Sequence, residues 1–123
     1  MDKIELERYN RHILLKEIGG SGQQLLKKSC VTMVGAGGLG SVILYYLAAA
    51  GIGCIRIVDN DIVSLSNLQR QILFKNEDIG KKKVIAAKKN LLDLNSHLNI
   101  EIFDEKFSEK ISRKLIKNCD ILI

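Results

Sequence analysis

Short apolar runs alternate along this chain with longer stretches in which apolar positions recur every three or four residues. The runs are roughly Cys30 to Val34, Ile55 to Val58, Ile100 to Phe103 and Cys119 to Ile123. They are too short for helices, and near-continuous apolarity of this length is what strands covered on both faces require. After Gly40 comes an Ala/Leu-rich segment long enough for four helical turns. Lys81 to Asn95 predicts a second helix, with Val84, Ala87, Leu91 and Leu94 on one stripe and Lys82, Lys88 and Lys89 largely outside it. Asp78 is expected to cap that helix, and Ser108 to cap another through Lys117 with Ile111, Leu115 and Ile116 as its apolar side. Upstream, residues 2–17 read as helical, with Ile4, Tyr9, Ile13 and Leu14 on one face and Arg8 and Arg11 sharing another. Gly19-Gly20-Ser21-Gly22 breaks that pattern, and Ser21 or Gly22 is expected to start a short helix through Gln23, Leu25 and Leu26.

Strands that alternate with helices imply an α/β fold with a parallel, doubly wound sheet. The simplest order is 3-2-1-4 with right-handed crossovers. The expected organisation is a helical segment over residues 1–28 and a Rossmann-like unit over residues 29–123.

The stretch from Ser29 to Asp61 carries the first chemistry. A strand runs into Gly35-Ala36-Gly37-Gly38-Leu39-Gly40, a helix follows, and a second strand ends in Asp59. Gly35, Gly37 and Gly40 fit G-x-G-x-x-G, whose missing Cβ atoms permit a tight turn, close phosphate approach and tight helix-on-sheet packing. The helix after the loop turns free N–H groups and the positive end of its dipole toward an anion. Asp59 lies 19 residues after Gly40, about where a carboxylate takes the ribose hydroxyls of a nucleotide. With every part in register, the unit predicts nucleotide binding without saying which nucleotide. The loop after Asp59, through Ser64, Ser66 and Asn67, is rich in side chains that satisfy backbone groups locally. An ordered loop with a helical turn or two is expected there.

Composition narrows the class. Hydrophobic residues make up 46% of 123, enough for one domain with a modest core. The longest apolar stretch, Val42 to Ile52, is too short to cross a bilayer, and the charged start lacks the apolar centre of a signal peptide. A cytoplasmic, membrane-free protein is expected. Net charge is +5, but the lysines spread over helix faces and aromatics are only 5%, so no stacking platform for nucleic acid is expected. Cys30, Cys54 and Cys119 form no C-x-x-C and read as small buried hydrophobes.

The run Asp59-Asn60-Asp61-Ile62-Val63-Ser64-Leu65-Ser66-Asn67-Leu68-Gln69-Arg70-Gln71 follows the glycine loop. With Arg8-Tyr9-Asn10-Arg11-His12-Ile13-Leu14-Leu15 before it and Gly80-Lys81-Lys82-Lys83-Val84 after, it closely resembles the ThiF/MoeB/HesA family of adenylyltransferases, bacterial relatives of ubiquitin-activating enzymes. The resemblance covers nearly the whole chain. It implies ATP-dependent adenylation of the C-terminal glycine of a ubiquitin-like sulfur carrier of the thiamin or molybdopterin type. It also implies that Gly38 lies against the nucleotide and Asp59 holds the ribose, with Asp61 and Ser66 in the same site. Asn67 and Arg70 would contact the phosphates, Lys83 would reach the phosphate chain, and Arg11 would arrive from the other subunit of a homodimer. Magnesium would accompany ATP, and zinc would sit between C-x-x-C pairs. Both ligand sets lie in a region beyond the fourth strand, so no metal ligand is expected in these 123 residues. The chain stops inside an apolar run, and the expectation is a piece of a longer protein that self-associates and binds ATP weakly. Two other readings stand beside this one. The glycine loop with Asp59 also suits the NAD-binding domain of an oxidoreductase, and the fold could serve as a dimerising or carrier-binding module without turnover.

Overall fold

The computed structural model describes residues 1–123. Four parallel strands form one sheet: β1 (Cys30–Val34), β2 (Cys54–Val58), β3 (Asn99–Phe103) and β4 (Ile121–Leu122), in spatial order β3-β2-β1-β4. This is the expected order 3-2-1-4. The ladders run from Cys30↔Cys54 to Val34↔Val58 and from Cys54↔Asn99 to Val58↔Phe103. Three strands therefore end level, and the loops that leave them open along one edge. β4 is shorter than its apolar run, pairing Val31↔Ile121 and Thr32↔Leu122. Backbone bonds from Asp120 N to Cys30 O and from Val34 N to Ile123 O extend it at both ends.

The pleat sends alternate side chains to opposite faces. Val31, Met33, Ile55, Ile57 and Ile100 face α4 (Gly38–Ala50) and α5 (Lys83–Leu94), whose Leu44, Ala48, Val84, Ala87 and Leu91 complete the core. Each fully buried aliphatic side chain of this kind contributes about 1.5–3 kcal/mol. The other face carries a polar row, with Thr32, Arg56 and Glu101 in register. It is satisfied by α6 (Glu109–Ile116), whose last carbonyls have no helical partner. Thr32 Oγ1 donates to Leu115 O at 2.7 Å, and Arg56 Nη1 donates to Leu115 O and Lys117 O. Leu115 itself is fully buried.

The amino-terminal segment differs from the single helix expected over residues 2–17. It forms α1 (Lys3–Arg8) and α2 (Asn10–Ile13), followed by turns. The break falls at Tyr9, which is buried and accepts a hydrogen bond from Asn95 Nδ2 at 2.7 Å, while the same amide donates to Ala48 O. Tyr9 alone of the expected apolar face is buried; Ile4 and Leu14 are exposed. α3 (Gly19–Lys28) starts two residues before Ser21. Its fully buried Gln23 donates to Ala50 O at 2.9 Å and lies 3.0 Å from His12 Nδ1. These contacts put α1, α2 and the start of α3 at the carboxyl end of α4, the end remote from the glycine loop.

Two capping expectations also change. α5 begins at Lys83, and Asp78 does not cap it. Asp78 is fully buried in a 3-10 turn, where its Oδ2 accepts from Lys75 N and Asn90 Nδ2, both at 2.8 Å. Ser108 does stand at the start of α6, but with its backbone carbonyl accepting from Ile111 and Ser112 rather than with its hydroxyl. Cys30 and Cys54 are side-by-side free thiols, Sγ to Sγ 3.0 Å. Burial, with the neighbouring Cys30 thiol, pushes Cys54 up to about 12. No helix is long and apolar enough to cross a membrane.

Candidate functional site

The glycine loop begins where β1 ends. Gly35 has φ +96°, a conformation that L side chains rarely adopt. Gly40, in the first turn of α4, crosses so close to Gly35 that a Cβ there would stand 2.1 Å from the Gly35 carbonyl oxygen. The two glycines therefore answer different demands, a backbone conformation and a close approach. Together they let α4 start directly above the end of β1, with its first N–H groups facing the open edge.

Asp59, at the end of β2, braces that loop. One carboxylate oxygen accepts from Ala36 N and the other from Asp61 N, both at 2.8 Å. Each oxygen keeps a second lone pair for a further donor. An open cleft of about 420 Å³ lies beyond this edge, with Gly35, Asp59 and Asp61 among the residues on one side and Glu105 and Phe107 on the other.

The segment after Asp59 is held by apolar anchors and a short backbone ladder. Val63, Leu73 and Phe74 are buried in the core. Val63 N donates to Lys81 O, Gly80 N to Val63 O and Lys83 N to Asp61 O. Within the segment, Asn67 Oδ1 accepts from Ser64 N at 2.9 Å, closing a turn over Leu65–Asn67, and Ser66 Oγ lies 3.0 Å from Ser64 Oγ. Asn67 O then accepts from the backbone N–H groups of Arg70 and Gln71. That turn carries Arg70 across the start of α4: its Nε is 3.6 Å from where a Cβ of Gly38 would stand, and its Nη1 donates to Ser66 O.

Lys83 departs most from its surface. It is only 4% exposed, and its Nζ donates to Asp61 Oδ2 at 3.1 Å. The lysine beside Asp61, and next the Ile62 N–H, hold the Asp61 carboxyl below the usual carboxylate range. The neighbouring Lys82 instead reaches outward to Asp104.

The fold thus gathers Gly35, Gly37, Gly38, Gly40, Asp59, Asp61, Ser66, Asn67, Arg70 and Lys83 around one strand edge and the loop beside it. Arg11 is not brought there. It is exposed on α2, at the opposite end of the sheet. A buried residue joins the group that the glycine pattern does not single out. Gln71 is 3% exposed, and its Nε2 is 3.9 Å from the Cβ position of Gly37. Its place directly after Arg70 is the only trace it leaves in the sequence.

Among known proteins, the family model described as "ThiF family" matches residues 9–123. A relative from Porphyra purpurea, "Probable molybdopterin-synthase adenylyltransferase", is 49% identical over 97% of this chain and 31% of its own length. "Sulfur carrier protein adenylyltransferase" of Thermus thermophilus is 39% identical over 98% of this chain and 45% of its own length. Among solved structures, Escherichia coli MccB with AMPCPP and MccA superposes with TM-score 0.81 and 32% identity, over 94% of this chain and 36% of that one. The chain spans less than half the length of each.

Proposed function

The chain belongs to the ThiF family, and on that premise we propose that it forms the ATP-binding part of an adenylyltransferase that activates the C-terminal glycine of a ubiquitin-like sulfur carrier. The observation that carries the reading is the placing of Arg70 across Gly38, a cation laid over the helix start that the glycine loop leaves open. The names of the relatives and the ATP analogue in the MccB structure point the same way.

In the proposed reaction the carrier's terminal carboxylate attacks the α-phosphorus of ATP. The new bond joins carboxylate oxygen to phosphorus. The bond to the β-phosphate oxygen breaks, its electron pair leaves with pyrophosphate, and an acyl-adenylate remains. The protein supplies no nucleophile. Its task is to offset repulsion between an anionic nucleophile and a polyphosphate, which fixed cations do best where charge accumulates. Arg70 offers a planar fork for phosphate oxygens, while Lys83 acts as a point charge with two N–H donors beyond the one given to Asp61. Asn67 holds the turn that presents Arg70, and Asp59 uses its spare lone pairs for the ribose hydroxyls. Gly35, Gly37, Gly38 and Gly40 admit the nucleotide to the helix start, with Asp61 and Ser66 at its margin. Magnesium bound with ATP would screen the phosphate charge. Asp59 and Asp61 are both engaged, by backbone N–H groups and by Lys83, so no residue of this chain is assigned to the metal. In the same reading Arg11 of a second copy completes the site in a homodimer, residues 1–28 act as the dimer arm, and the protein works in the cytoplasm.

Titration with ATP and with NAD tests the nucleotide half of the reading, and carrier-dependent ATP–pyrophosphate exchange tests the reaction. Arg70→Ala should slow exchange by about a hundredfold or more while changing stability by less than about 1 kcal/mol. Tighter binding of NAD than of ATP would sink the proposal, as would exchange by the Arg70→Ala protein at the parental rate.

A further inference from the structure

We propose that Cys30 and Cys54 form a reversible modification site, a dithiol that a low-molecular-weight disulfide closes into a staple between β1 and β2. The inference is independent of the nucleotide reading above. Cys30 Sγ donates to Cys54 Sγ at 3.0 Å across the first rung of the β1–β2 ladder. Both side chains share the face that carries Thr32 and Arg56, because the register pairs Cys30 with Cys54 and the pleat repeats every two residues. Neighbouring strands stand about 4.8 Å apart, within the Cα separation of about 4.4–6.8 Å that a disulfide spans. Closure therefore needs rotation of two short side chains and no movement of the backbone. Cys119, the third free thiol, is engaged elsewhere: its Sγ lies 3.2 Å from Thr32 Oγ1 and 3.0 Å from Ile121 O.

Two valines would serve these strands at least as well without setting two oxidisable atoms in contact. Access comes from the β3 side. Cys30 is buried, while Cys54 is partly exposed, and its Sγ lies 3.8 Å from Glu101 Oε1, on a side chain 42% exposed. Cys54 therefore meets the oxidant first. Its thiolate attacks one sulfur of the small disulfide, whose S–S bond breaks and whose other half leaves as a thiol with the Cys54 proton. Cys30 Sγ then attacks Cys54 Sγ and expels the remaining half, which takes the Cys30 proton. One small disulfide is reduced to two thiols as the protein pair is oxidised. Burial, with the neighbouring Cys30 thiol, pushes Cys54 up to about 12, so little thiolate is present near neutrality and closure is slow. The pair thus answers sustained oxidant rather than a brief pulse. The link joins residues 24 apart in sequence and restricts the unfolded chain between them. It lies at the amino ends of β1 and β2, whereas Gly35 and Asp59 follow their carboxyl ends, so the candidate site is left open.

The test incubates the chain with oxidised glutathione at mildly alkaline pH, then digests it without reduction for mass spectrometry. The peptides of Cys30 and Cys54 should be found joined, two hydrogens lighter than the separate pair, with Cys119 free. The melting temperature should rise by about 5–10 °C and return to its starting value with dithiothreitol. Cys119→Ser should keep both effects, and Cys30→Ala and Cys54→Ala should each lose both. A cross-link through Cys119 or between two chains, glutathione retained on Cys54, or two thiols still free after many hours would overturn the inference. So would a melting temperature left unchanged or lowered by closure. The peptide map of the parent chain decides the pairing without either alanine variant.

Discussion

Asp61→Asn removes the carboxylate that Lys83 reaches at 3.1 Å and leaves an ammonium whose side chain is 5% exposed. Lys83→Met does the reverse: an apolar chain of similar length fills the buried track, and the orphaned carboxylate is 66% exposed and stays hydrated. The two substitutions break one ion pair, yet their costs should differ. Stripping the partner from a fully buried charge costs about 3–5 kcal/mol, whereas an exposed pair contributes about 0–1 kcal/mol. With one end buried and the other screened by solvent, Asp61→Asn should cost about 1–2 kcal/mol and Lys83→Met less than about 1 kcal/mol. Urea denaturation at neutral pH measures both. The lysine variant should also lose ATP affinity, which the stability ranking does not explain. Acid supplies an independent check. Lys83 holds the folded Asp61 pKa below its unfolded value, so the pair's stabilisation is complete above the ordinary carboxylate value of about 3.9. It is lost as pH falls through the lower folded value, when the carboxyl becomes protonated. The gap between parent and Asp61→Asn should therefore be constant near neutrality and close only in strong acid. A Lys83→Met protein less stable than Asp61→Asn, or a gap that closes while pH is still well above about 4, would refute the burial argument.

Two further substitutions probe the loop itself. Asp59→Asn keeps the shape but turns an NH₂ toward one of the two N–H groups that the carboxylate holds. It should cost about 1–3 kcal/mol in a urea melt, and parental stability would show that the brace is idle. Gly40→Ala would drive a Cβ to 2.1 Å from a backbone oxygen that cannot rotate away, whereas Gly38→Ala meets only the Arg70 side chain at 3.6 Å. Circular-dichroism melts should show the first destabilised by about 2–4 kcal/mol and the second neutral or up to about 1 kcal/mol more stable, since alanine favours the helix. Equal behaviour would mean that α4 does not cross Gly35 as closely as described.

What could be read in the chain divides by sequence separation. The four strands, their order and the glycine loop follow from patterns local to ten or twenty residues, and Asp59 falls at the end of β2 because the unit that ends there is contiguous. Lys83 is different. Three consecutive lysines at Lys81, Lys82 and Lys83 read alike as a solvated helix start. Only the return of residues 61–63 along residues 80–83 buries one of them and leaves Lys82 facing outward. No periodicity marks which of the three it will be. Asp78 fails as a predicted cap for a related reason: its buried partner, Asn90, lies on the following helix, and their pairing depends on how the turn before α5 folds back. Tyr9 breaks the first helix because Asn95, 86 residues away, binds its hydroxyl. The residue types needed for phosphate chemistry were thus visible as letters, while the state of each charge was not. Whether a cation is buried or free is set by contacts across twenty residues or more. The same holds for Gln71, whose burial beside Gly37 follows from the fold and from no local pattern.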